Sequence, residues 1–476
     1  MSAPVPPPFA AGFAPCTAET SVDRLPLVGT LPAWLRGTLY RNGPALWQVG
    51  RTGLAHWFDG FAKLHRFGFP GDGTVSFTCR MLESEQYRGS LRRGRLWRRL
   101  FATDPVRRWY HKLAFMLWPT YGDNALVNIQ PLAGGIMALT ESPRVVEVDP
   151  MNLAARGDLV FSDALSGNNT TAHPLVDPRT GEVVNLLTIY GKVSRHQFTR
   201  LPPGTRRREL IGSLESVEPS YHHSFGMSAR FLILSEWPFV VQPLRMALGS
   251  ATIHGSYRWK PELGLRIRLL ERATGRVLGP FAAEACFGFH HVNAFDHDGG
   301  VSFDVAVLDD HQVFDQLLME RVRTLGITSK PRLTRYHIDL ASGAVTRRPL
   351  GEDTFDFPVI DERVRCQPTA VVWGCGVVPE RREGMLNRIS RREFSADGTL
   401  LHERTWQQPG CFPGEAVYVP RPGGAHHDGV LLSVVLDGTR GCSFLLVLDA
   451  TTLEELARAE IPQVVPFGFH GSFVPG

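Results

Sequence analysis

The chain has 476 residues, 43% hydrophobic, 21% charged and 10% aromatic, with 47 Gly and 35 Pro, a turn-rich globular composition that excludes a disordered or collagen-like chain. Lys and Arg number 51 against 47 Asp and Glu, a net charge of +4 that is too small for a nucleic-acid protein unless it is concentrated locally. Seven cysteines without a C-x-x-C pair point to reduced, mostly buried thiols and an intracellular compartment.

Residues 1–24 are Pro-rich and carry neither the basic nor the apolar part of a signal peptide, so they read as an N-terminal extension to one domain spanning 25–476. No apolar run approaches the ~18 residues of a membrane span, and the expectation is a cytoplasmic protein, soluble or resting on a membrane surface. Short β-rich runs recur from residue 36 onward, at 136–139, 183–189, 231–234, 301–308, 430–436 and 444–448. Asp-Gly, a hairpin-turn signal, stands at Asp59-Gly60, Asp72-Gly73, Asp298-Gly299, Asp397-Gly398, Asp428-Gly429 and Asp437-Gly438. The pattern lacks α/β alternation and long linkers, which favours one closed β architecture. No sequence repeat is evident, and strand density alone favours a propeller, with a barrel or a pair of sandwiches as the alternatives.

Two segments break the β pattern. Residues 309–325 read as an inserted helix, and 91–118 as helical with an unusual charge. Nine basic residues (Arg88, Arg92, Arg93, Arg95, Arg98, Arg99, Arg107, Arg108 and Lys112) face one acid, Asp104, and lead into Leu113-Ala114-Phe115-Met116-Leu117-Trp118. Basic residues beside an apolar stretch suit an interfacial segment on anionic lipid, so 88–120 is expected to form a membrane-facing insertion. A solvated basic face beside a core helix is the plainer alternative. Nothing supports a nucleic-acid or obligate protein partner.

Walker loops, G-x-S-x-G elbows, H-E-x-x-H helices and dinucleotide fingerprints are absent. What stands out is histidine, 17 in all, with four strand-like settings around His173, His222-His223, His290-His291 and His470. Neutral imidazoles on rigid strands can converge on one metal ion. Neighbouring strand residues face opposite ways, so one member of each pair looks inward, and parity does not say which. Intervals of 50, 67 and 180 residues from His173 through His223 and His290 to His470 are too wide for a local motif. Only a closed ring of strands gathers them.

In order along the chain, Thr38-Leu39-Tyr40-Arg41-Asn42-Gly43-Pro44, His56-Trp57-Phe58-Asp59-Gly60, Ala172-His173-Pro174, His223-Ser224-Phe225-Gly226, Phe289-His290-His291-Val292-Asn293-Ala294 and Phe469-His470-Gly471 resemble the carotenoid cleavage oxygenase family. Residues 414–433 are most similar to its animal-type branch of carotene oxygenases and retinoid isomerohydrolases. The resemblance implies an all-β, seven-bladed β-propeller with a helical dome over the metal face. It implies one Fe(II) per chain held by His173, His223, His290 and His470, with O2 as co-substrate, cleaving a conjugated double bond of a lipophilic carotenoid or apocarotenoid into two carbonyls.

The resemblance also implies three carboxylates that orient the imidazoles. Glu141 would serve His223 and Glu415 would serve His470. Asp356 stands where the family has Glu, one methylene shorter, and is expected to reach His290 by a backbone shift or through a water. Retinoid isomerohydrolysis shares these motifs. Stilbene cleavage in the family uses a lysine at the place of Thr140, and a lipid-binding propeller without catalysis would need the histidines to be structural. His65, His111, His196, His254, His426 and His427 have no assigned role. The branch's Pro-Asp-Pro-Cys-Lys motif appears here as Thr103-Asp104-Pro105-Val106-Arg107, so acylation of a cysteine at that place is not expected.

Overall fold

Strands follow from the side-chain pattern in two ways. Ser76–Met81 alternates half-buried with buried residues, as a strand with one wet face does, whereas Gly300–Leu308 is buried at every position, as a strand covered on both faces must be. The computed structural model describes residues 6–105, 121–247, 252–378 and 384–476. Most of its strands assemble into seven antiparallel sheets of four to six strands, the blades of a β-propeller.

Blade 1 pairs Thr20–Val22, Ser76–Met81, Phe61–Phe69, Gly37–Leu46 and Gly471–Pro475, from rim to axis. Blade 2 spans 128–158, blade 3 spans 169–216, blade 4 spans 226–283, blade 5 spans 287–349, blade 6 spans 356–407 and blade 7 spans 411–461. Both ends of the chain close the ring. Leu27–Gly29 is the outer strand of blade 7, paired with Glu455–Ile461, and Gly471–Pro475 is the inner strand of blade 1, paired with Gly37–Leu46. Apolar side chains between blades form the cores, with Trp373, Phe303 and Tyr336 fully buried.

The Asp-Gly signals are mostly hairpin turns. Asp298-Gly299 is a two-residue loop between paired His297 and Gly300, with Gly299 at φ +79°, the left-handed backbone such a loop requires and glycine adopts freely. Asp59-Gly60 is an exception: it ends the short 3-10 helix Trp57–Asp59, because the Asp59 carboxylate accepts from Ala102 N and Thr103 Oγ1 rather than closing a hairpin.

Three expectations need correction. Of the N-terminal stretch expected as an extension, residues 6–24 belong to the domain: Phe9 and Phe13 are buried, and Thr20–Val22 forms the rim strand of blade 1. The helix expected over 91–118 is Glu85–Arg93, N-capped by Ser84 and stopped by Gly94 at φ +59°; residues 94–105 are not helical, and 106–120, with the apolar run, lie outside the described residues. The helix expected over 309–325 is two short ones, Val313–Gln316 and Met319–Leu325, separated where Leu318 takes extended backbone at ψ 130°.

The dome is accordingly made of loops with short helices, the longest among the described residues having 9 residues. None is long and apolar enough to cross a membrane. Phe13 sits edge-on to Trp57 and Phe467, with centroids 5.3 and 5.1 Å away, and has no exposed surface. Phe13→Ala is expected to cost about 3–5 kcal/mol by the usual penalty for emptying a buried aromatic site, read as a lowered denaturation midpoint with an unchanged slope.

Candidate metal centre and its cavity

Each blade sends one polar group to the axis. His173 (blade 3) sits in the break between Asn169–Thr170 and Leu175–Val176, both paired with Val183–Ile189, where Pro174 cannot donate to the ladder. His223 precedes Gly226–Met227 of blade 4, and His470 precedes Gly471–Pro475 of blade 1. Glu141 follows Gly135–Leu139 of blade 2, Asp356 opens Asp356–Val359 of blade 6, and Glu415 lies between Cys411–Pro413 and Val417–Pro420 of blade 7.

His290 of blade 5 resolves the parity question. Pairing of Phe287–His297 with Gly300–Leu308 shifts register between Gly288 and His291, a bulge that re-aims one side chain. His290 turns to the axis. His291 turns away, donating or accepting at Ser224 Oγ and Ser235 Oγ. His222 likewise faces His196, with ring centroids 4.7 Å apart, leaving His223 on the axis.

The ligand-capable atoms of His173, His223, His290 and His470 all lie within 4.8 Å of one another. His173 Nε2 and His223 Nε2 are 2.9 Å apart, and two ligands at right angles on one ion with bonds of about 2.1 Å are separated by about 3 Å. Three rings are fixed at the other nitrogen: His223 Nδ1 to Glu141 Oε1 at 2.7 Å, His290 Nδ1 to Asp356 Oδ1 at 2.6 Å and His470 Nδ1 to Glu415 Oε1 at 2.7 Å. An acceptor-only carboxylate puts the proton on Nδ1 and leaves the Nε2 lone pair facing the axis. His290 Nε2 is buried with no hydrogen-bond partner, as a ligand atom awaiting an ion would be. Burial, reinforced by the neighbouring imidazoles, holds His173 and His470 well below the ordinary histidine range, so these rings stay neutral as metal ligands must. The residues fit a divalent ion.

Asp356 reaches His290 directly, without a bridging water. The shorter side chain is met by the backbone: register shifts between Asp356 and Val359, and Phe357 adopts φ +48°, a left-handed conformation costly for a bulky residue. Two further residues act on the carboxylates. Tyr221 Oη donates to Glu141 Oε1 at 2.6 Å, and burial next to that carboxylate raises its phenol well above the ordinary value, keeping it a donor. Arg41 Nη1 donates to Glu415 Oε2 at 2.5 Å and Nη2 to Phe469 O at 3.0 Å. Both stand inside or beside motifs quoted above, in Tyr40-Arg41-Asn42 and Tyr221-His222-His223, yet nothing local in the sequence pairs Arg41 with Glu415.

A cavity of about 1060 Å³ opens over this cage and is lined by His223, His290 and His470 together with Trp57, Phe58, Phe101, Phe289, Phe357 and Phe469. Cap residues Leu100, Met246, Val313 and Leu317 complete its walls. Val217 and Leu244 line it too while being 72% and 69% exposed, so the cavity reaches the surface at an apolar lip.

The chain resembles known proteins over nearly its whole length. The sequence profile described as "Retinal pigment epithelial membrane protein" matches residues 13–475. The chain is 28% identical to the mitochondrial carotenoid-cleaving dioxygenase of Macaca fascicularis, over 97% of this chain and 95% of that one. It is 29% identical to the chloroplastic carotenoid cleavage dioxygenase 8 homolog A of Oryza sativa subsp. japonica, over 96% and 87%. Among solved structures, cobalt-substituted Synechocystis apocarotenoid oxygenase superposes with a TM-score of 0.86 at 25% identity, covering 98% of each chain.

Asp356→Asn removes the negative charge that orients His290 and raises its basicity. Cobalt affinity is expected to fall about 10–100-fold, measured by competition with a chelator, while thermal unfolding of the metal-free protein changes little.

Proposed function

The chain belongs to the retinal pigment epithelial membrane protein family, and on that premise we propose that it is an Fe(II)-dependent dioxygenase that cleaves a conjugated double bond of a carotenoid or apocarotenoid into two carbonyl products. The observation that carries this reading is the opening of a four-histidine cage directly into an aromatic-walled cavity. An open metal cage at the foot of an apolar pocket suits oxygen chemistry on an alkene.

His173, His223, His290 and His470 would hold the ion, and Glu141, Asp356 and Glu415 would keep their rings aimed. Bound Fe(II) would supply the redox chemistry toward O2, and one alkene plus one O2 balances as two carbonyls without an external reductant. The protein's own contribution is placement. Phe58, Phe289, Phe357 and Phe469 border the cavity next to the histidines, exclude water from it, and present π faces to any cationic character on a polyene. Tyr221, held to Glu141, couples the wall of the cavity to the His223 ring. Thr140 lines the same wall and supplies no cation to grip a phenol, which weighs against a stilbene substrate.

The apolar lip at Val217 and Leu244 supports extraction of substrate from a membrane surface. Arg99 donates to Met246 O at 3.2 Å, tying the basic segment to the helix Pro243–Ala247 that carries Leu244. Arg98 and Arg99 are paired with Glu85 and Asp104 and largely buried, whereas Arg88, Arg92, Arg93 and Arg95 are exposed and would make the lipid contact.

The test is a paired assay on iron-reconstituted protein: metal content, and oxygen-dependent loss of a panel of carotenoids, apocarotenoids, stilbenes and retinyl esters with mass analysis of products. About one iron per chain and paired aldehydes whose carbons sum to the substrate are expected. Retinol of unchanged carbon count from a retinyl ester, without oxygen uptake, would instead identify an isomerohydrolase.

A further inference from the structure

We propose that Arg41 sets the net charge of the metal cage and thereby its preference for a divalent over a trivalent ion, an inference that rests on the metal-centre reading above. The four imidazoles are neutral ligands. Glu141, Asp356 and Glu415 each accept from an imidazole Nδ1, which gives the cage three negative charges. Glu415 has donors on both oxygens, His470 on Oε1, with Arg41 and Gly471 N on Oε2, an arrangement that favours the charged carboxylate. The Arg41 guanidinium brings the cage to a net charge of two negatives, equal and opposite to a divalent ion.

The other two carboxylates have no such partner. Beyond its imidazole, Glu141 receives the neutral Tyr221 phenol, and Asp356 receives the Phe357 backbone N–H. Among the described residues neither forms an ion pair with Arg or Lys, whereas Arg41 and Glu415 do, with side chains 7% and 11% exposed. Lys63, a second buried cation of blade 1, is turned away to Cys16 O and Ala18 O. In a buried site, where solvent screens little, an unmatched unit of charge is costly. With Arg41 present the ferrous cage is neutral, and the ferric cage carries an uncompensated positive charge. Without Arg41 the balance moves to the ferric state. Arg41 is therefore a positioning residue that guards the oxidation state in which the centre would meet O2.

A purely mechanical role, tying blade 1 to blade 7, would weaken all metals alike, so the test reads a ratio. The metal-free full-length protein is titrated with Co(II) and with Ga(III), each buffered as its nitrilotriacetate complex, for the wild type, Arg41→Gln and Arg41→Lys. Arg41→Gln is expected to raise the Ga(III)-to-Co(II) affinity ratio at least tenfold, the equivalent of a 59 mV fall in a one-electron potential, and Arg41→Lys is expected to return the ratio to the wild-type value. Parallel loss of both ions, or an unchanged ratio, overturns the proposal. If Arg41→Gln does not fold, Glu415→Gln is expected to shift the ratio the opposite way, and no shift there overturns it equally. A wild type that binds neither ion overturns the metal-centre reading itself, and this proposal with it.

Discussion

Four imidazole lone pairs can share one point only if each ring is denied its other orientations, and in this protein that denial comes from groups on other blades. His223 answers to a carboxylate from blade 2, His290 to one from blade 6 and His470 to one from blade 7. Among the described residues no carboxylate pairs with His173; its ring is hemmed by those of His223 and His470, with centroids 4.5 and 4.3 Å away, and Asn128 Nδ2 of blade 2 holds the adjacent Ala172 carbonyl. The cage is thus a property of the closed ring. No single blade contains both a histidine and the carboxylate that orients it, and no pair of neighbours contains more than two of the four histidines.

Charge and apolarity meet at the imidazoles. Glu415 and Arg41 stand behind the rings, whereas Glu141 and Asp356 reach the cavity wall beside the phenylalanines that border the histidines. An apolar ligand in this cavity would meet aromatic faces beside the histidines, and the two carboxylates that reach the wall are held by His223 and Tyr221 and by His290 and the Phe357 N–H. Phe357 serves both tasks: its N–H donates to Asp356 Oδ1, and its ring packs 5.2 Å from that of His290.

Much of this was legible in the sequence, for identifiable reasons. Strand segments such as 183–189 and 301–308 announced themselves because β-branched runs between turn formers have few alternatives, and the resemblance assigned all four axial histidines. The unaided pattern could not choose between His290 and His291, because a bulge at Gly288–His291 breaks the alternation on which a choice would rest. Arg41 and Tyr221 escaped because they act on carboxylates from distant blades. The N-terminal segment was misjudged from its prolines, although two phenylalanines, Phe9 and Phe13, carry its attachment. Gly94, a helix stop in plain sight, was outweighed by the basic run around it.

The two-ended closure has a consequence for biosynthesis. Gly37–Leu46 and Phe61–Phe69 leave the ribosome early, but the strand that covers their inner edge, Gly471–Pro475, follows His470 and emerges only after every other blade. Throughout elongation blade 1 presents an unpaired, largely buried-type strand edge, a template for misassociation. The four histidines can therefore come together only once the last strand is made, and until then the inner edge of the first blade has no partner.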